Sequence, residues 1–119
     1  MAGESENWGP EQERLNQVFG ARLRITTLRA DVWPGIELLE YLTPRTGRPA
    51  PVDAAANDLV HWHTTVIPGE PAAAAARLRG GRANFVSSGV VSLPDRALGF
   101  GAGFLVRDPD GHALRVISR

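Results

Sequence analysis

Cysteine is absent from the 119-residue sequence, which excludes disulfides and thiolate metal sites. Any bound metal would need imidazole, carboxylate or water ligands. Net charge is missing too: 13 Lys+Arg balance 13 Asp+Glu, and no basic tract offers a surface that could follow phosphates. Nucleic acid is therefore not an expected partner. No apolar run approaches the length needed to span a bilayer, and the opening "MAGESENWGPEQERL" is acidic and polar, unlike a secretory signal. A cytoplasmic protein with no membrane partner is expected. What the chain does have is Gly 13 and Pro 9, high for its length, which predicts many short elements joined by turns. The length fits one domain, which could bury about two-thirds of its unfolded surface.

Pro10 to Phe19 reads as a short helix, with Pro in its first turn, acids after it, and Leu15, Val18 and Phe19 as an apolar stripe stopped by Gly20. In "ARLRITTLRA", Leu23, Ile25 and Thr27 alternate with Arg22, Arg24 and Thr26, the pattern of a half-exposed strand. "DVWPG" is a turn, and Ile36 to Leu42 a second strand of the same hairpin. "TPRTGRPAPVDAAAND" has no period and reads as a linker. "LVHWHTTVI" is then a strand. "EPAAAAARLRGG" is the clearest helix, opened by Glu70-Pro71, propagated by alanines and closed by Gly80-Gly81. Short strands follow in "ANFVSSG", "VVSL", "GFGAGFLVRD" and "HALRVIS", so the second half reads β-α-β-β-β.

"GFGAG" (Gly99 to Gly103) leads into the strand-like "FLVRD", not into the helix that a phosphate loop requires. A bulge or a close backbone approach explains these glycines better. "DPDG" (Asp108 to Gly111) is turn chemistry, and the residues after it lack the spaced oxygens of a calcium loop. In "HWH", strand alternation places His61, His63 and Thr65 on one face. Two imidazoles on one face could join a divalent ion or simply line a wet pocket. Glu37 and Glu40 fall on opposite faces, and which face Glu37 takes is not fixed by the residues alone.

"GIELLEYLTP", "NDLVHWHTTV" ahead of a helix, and "GFLVRDPDGHALRVI" together resemble the glyoxalase / bleomycin-resistance / extradiol-dioxygenase superfamily, the vicinal oxygen chelate proteins. The resemblance implies an α+β fold of paired βαβββ modules. Residues 1–52 would form an incomplete first module plus linker, without its first strand and helix, and Gly3 to Trp8 would correspond to that module's second strand. Residues 53–119 would form a complete second module, and the two together one domain.

Metal-binding members of the superfamily take His and Glu from the first and last strands of each module. Carried onto this sequence, Glu37 and His61 match two such ligands, while Arg115 stands where a second carboxylate is expected. His63 could complete a two-His-one-carboxylate set for Zn, Fe, Mn or Ni. The resemblance thus implies a lyase, isomerase or dioxygenase acting on a small oxygenated anion, with Glu37, His61 and His63 on the metal and Glu37 and His63 catalytic. The alternative is a non-catalytic, drug-sequestering module of the same fold, in which Tyr41, Trp62, Phe85 and Phe104 supply aromatic walls and Arg115 an ionic anchor. A homodimer is expected, with Met1 to Trp8 the segment most ready to reorganise.

Overall fold

The computed structural model describes residues 2–32 and 34–118. Trp33, in the expected "DVWPG" turn, lies outside the described residues, as do Met1 and Arg119. The chain divides into two compact units, Met1–Arg48 and Pro49–Arg119, so the boundary falls inside the linker, slightly before the expected position.

The first unit is a three-stranded antiparallel sheet in the order β1-β2-β3, from β1 (Ala2–Trp8), β2 (Arg22–Leu28) and β3 (Ile36–Thr43). The N-terminal stretch, expected to be untethered, pairs with β2 along its whole length, from Ala2↔Leu28 to Trp8↔Arg22. Between β1 and β2 lies α1 (Pro10–Asn16), with Pro at its start and Glu11 and Glu13 in the first turn, where the helix dipole favours acids. It ends earlier than expected, at Gln17 in the left-handed conformation (φ 55). The reason is that its stripe finds nothing to cover: Leu15 and Phe19 are largely exposed, and so short a helix gains little from propensity alone.

Pairing also decides the face of Glu37. Thr27↔Glu37, Ile25↔Leu39 and Leu23↔Tyr41 put it with the apolar members of β2, of which Leu23 is fully buried. The opposite face carries ions. Arg22 bonds Glu6 at 2.6 Å, and Arg24 meets Glu40 at 2.9 Å and Glu4 and Glu6 at 3.7 and 3.8 Å.

The second unit holds β4 (His63–Val66), α2 (Pro71–Gly80), β5 (Asn84–Phe85), β6 (Val91–Ser92), β7 (Ala102–Arg107) and β8 (Ala113–Ile117). Its sheet runs β4-β8-β7-β5, with β6 also on β7; β4 and β8 are parallel and the other pairs antiparallel. The expected strands "ANFVSSG" and "VVSL" shrink to two residues each, because only β7 is available to pair with them. The β7–β8 turn closes as its residues predict: Gly111 takes positive φ, and Asp108 accepts from the backbone N–H of Asp110 and His112.

Register gives this sheet two distinct faces. Phe85↔Val106, Val106↔Leu114 and Phe104↔Val116 share one. Against it α2 packs Ala74, Ala75 and Leu78, so small alanine side chains let the helix approach the sheet. Val91↔Gly103, Leu105↔Arg115 and Thr65↔Arg115 share the other. Gly103 is required there, since a Cβ would lie 2.6 Å from the Val116 carbonyl oxygen.

Candidate functional site

On the face away from α2, β4 contributes His63 and Thr65, β8 contributes Arg115, and β7 contributes Gly103 and Leu105. Arg115 is half-buried and held from two sides. Its Nε donates to Thr65 Oγ1 at 3.1 Å, and its guanidinium carbon lies 5.5 Å from the Phe100 ring centre. Both partners are neutral, and among the described residues of its own unit no carboxylate lies within ion-pair distance. The guanidinium therefore keeps its full charge and its terminal N–H groups for something else.

Beside it is an open pocket of ≈ 150 Å³, lined by Ser87, Val91, Leu93, Phe100, Gly103 and Leu105, with Phe104 adjoining on the strand. The walls are pinned to β7. Val86 and Ser87 donate backbone N–H to the Leu105 carbonyl, Leu105 N–H donates to Ser87 Oγ at 2.9 Å, and Leu93 N–H donates to the Gly101 carbonyl. Sequence reasoning singled out Arg115 but missed Phe100, Ser87, Val91, Leu93 and Leu105. The signal was present only as an aromatic residue set among the glycines of "GFGAG".

The "HWH" segment differs from its expected form. β4 begins at His63, so His61 and Trp62 precede the strand, and the His61 N–H closes a turn onto the Asp58 carbonyl at 3.0 Å. The two imidazoles remain neighbours, with ring centres 5.9 Å apart. Trp62, expected as an aromatic wall, is 57% exposed, and its ring lies 5.0 Å from that of His112, which in turn reaches Asp108 at 3.2 Å. Phe85 and Phe104, expected as walls for a ligand, both pack in the core under α2, and Phe104 also borders the pocket. Their rings stack at 5.4 Å on the α2 face, and Phe104 is 3% exposed. Strand alternation puts them opposite Arg115. Glu37 and Tyr41 belong to the first unit, where Glu37 is exposed and Tyr41 half-buried.

The donor set available to a divalent ion is small. In the second unit it stops at two imidazoles beside a permanent cation. Among the described residues no three of His, Cys, Asp or Glu gather so as to hold an ion. Within the second unit these imidazoles alone fall short of a resident metal's ligand set, which normally numbers three or more protein groups. Nor, among the described residues, is any helix long and apolar enough to cross a membrane.

The architecture so defined is α+β, with one three-stranded sheet and one larger sheet carrying a helix on one face. It is similar to the crystal structure of a glyoxalase family protein from Bacillus cereus, with a TM-score of 0.74 at 19% sequence identity, over 98% of this chain and 74% of that one. The chain thus has the fold that the resemblance implied. No family model and no curated protein matches the sequence.

Proposed function

We propose that this chain is a small-molecule-binding protein of the glyoxalase / bleomycin-resistance type, in which a fixed arginine holds the anionic part of the ligand. The observation that carries this reading is Arg115, anchored by Thr65 and Phe100, beside an apolar pocket and with no carboxylate among the described residues of its own unit to neutralise it. A half-buried cation with unused donors binds carboxylates well, since such hydrogen bonds are charge-assisted and pair two-to-two. Calorimetric titration with small organic anions tests it. Binding that falls with Arg115→Met and partly survives in Arg115→Lys supports the reading. Binding indifferent to both variants removes it.

A second reading is the divalent-metal-dependent lyase, isomerase or dioxygenase that the resemblance implies, with His61 and His63 on the ion. The closeness of the two imidazoles favours it, and so does the position of His63 on the Arg115 face. Metal analysis of protein purified without a histidine tag decides between the two. A stoichiometric ion lost in His61→Ala and bound more tightly in Arg115→Glu supports the enzyme, because that exchange replaces a cation by an anionic donor. Self-association into a homodimer belongs to either reading, and sedimentation at micromolar concentration tests it.

A further inference from the structure

The pocket beside Arg115 constrains the ligand more narrowly than its charge alone. We propose that it takes a compact monocarboxylate, a single carboxylate on an apolar body about the size of one six-membered ring. This rests on the anion-binding reading above and adds size and charge limits to it.

Size comes from the pocket's ≈ 150 Å³. An apolar cavity of about that volume accommodates benzene, so one ring or a branched four- to five-carbon chain fills it, and a second fused ring would project from its open mouth into water. The lining supports the same conclusion. Val91, Leu93, Phe100 and Leu105 offer only apolar surface, so the ligand's body gains from leaving water there.

The head group follows from the donors. Arg115 Nε is engaged by Thr65 and the guanidinium carbon lies over the Phe100 ring, which leaves the terminal NH₂ groups. Those two groups present parallel N–H bonds that match the planar spacing of a carboxylate. Ser87 adds one donor: its oxygen already accepts the Leu105 N–H, so its own hydroxyl proton is free to point at an acceptor. One cation and one hydroxyl satisfy one carboxylate. Among the described residues no second cation lines the pocket, so a second negative charge there would be desolvated without a partner among them.

Calorimetry on the full chain with benzoate, 2-naphthoate and phthalate tests this, the last being the same ring with a second carboxylate. Benzoate is expected to bind, and Arg115→Met to weaken it about tenfold to a hundredfold, the range for losing hydrogen bonds to a charged group. Phthalate should bind at least about tenfold more weakly than benzoate, and 2-naphthoate no more tightly, since its second ring stays in water. Val91→Phe fills the pocket from a residue that is 45% exposed and so spares the core; it should abolish benzoate binding while circular dichroism stays unchanged. If 2-naphthoate binds about tenfold more tightly than benzoate, or phthalate binds as tightly as benzoate, with binding still lost in Arg115→Met, the size and charge inference is overturned and the anion reading stands. If benzoate binding ignores Arg115→Met, both fall.

Discussion

The first unit covers one face of its sheet with ion pairs, and the second covers one face of its sheet with a helix. In the first, Arg22 and Arg24 bridge Glu4, Glu6 and Glu40 across three strands. In the second, α2 lays alanines and a leucine on Phe104, Val106 and Val116. The difference teaches where stability and function are placed. Exposed ion pairs each contribute about 0–1 kcal/mol, whereas a buried aromatic residue contributes several times that. The second sheet, made rigid by its apolar face, can hold a charged residue on the other face in one fixed geometry. That is where Arg115 sits.

The strongest way to break this contrast is Phe104→Ala. It removes the stacked partner of Phe85 and opens the core under α2, at a cost of about 3–5 kcal/mol in urea unfolding. A loss below about 1 kcal/mol would show that the helix face does not hold the second unit. Gly103→Ala comes next, because a Cβ there must displace the Val116 carbonyl and Ile117; about 1–3 kcal/mol should be lost. Because Gly103 lies on the pocket side, that variant should also weaken benzoate binding, and unchanged binding would detach the pocket from the β7–β8 register.

A smaller effect is expected for Ser118→Ala. Ser118 Oγ accepts the Ala102 N–H at 3.0 Å and bonds its carbonyl at 3.2 Å, so about 1 kcal/mol is expected, read as a shift in the denaturation midpoint. The smallest is Arg24→Ala in the first unit. Its three ion-pair partners notwithstanding, exposure should keep the change under about 1 kcal/mol, and 0.5 M salt should reduce it further. A loss as large as that of Phe104→Ala would reverse the comparison.

Much of the architecture was legible in the residues. The alternation of β2, the alanine run of α2 and the turn of Asp108 to Gly111 all formed where local chemistry placed them. Three expectations failed for a shared reason. Leu59 and Val60 read as strand but lie exposed, because β8 pairs with β4 only from His63↔Ala113 onward. Phe85 and Phe104 read as ligand walls, yet cross-strand register sets them under α2. The stripe of α1 lacks a surface to bury it. In each case a local pattern says that a residue is apolar or extended, and only a distant partner says what it meets.

The sequence by itself determined that no thiolate site exists, that α2 is a helix, and that the chain turns at "DPDG", since composition, propensity and turn chemistry are local properties. It also placed an arginine at position 115. Only the tertiary structure decided what that arginine does. Thr65, 50 residues away, fixes its Nε, while Phe100 and the β6–β7 walls shape the space beside it. The physical reason is strand pairing: which side chains share a face of a sheet depends on register between segments far apart in the chain, and local sequence carries no record of that register.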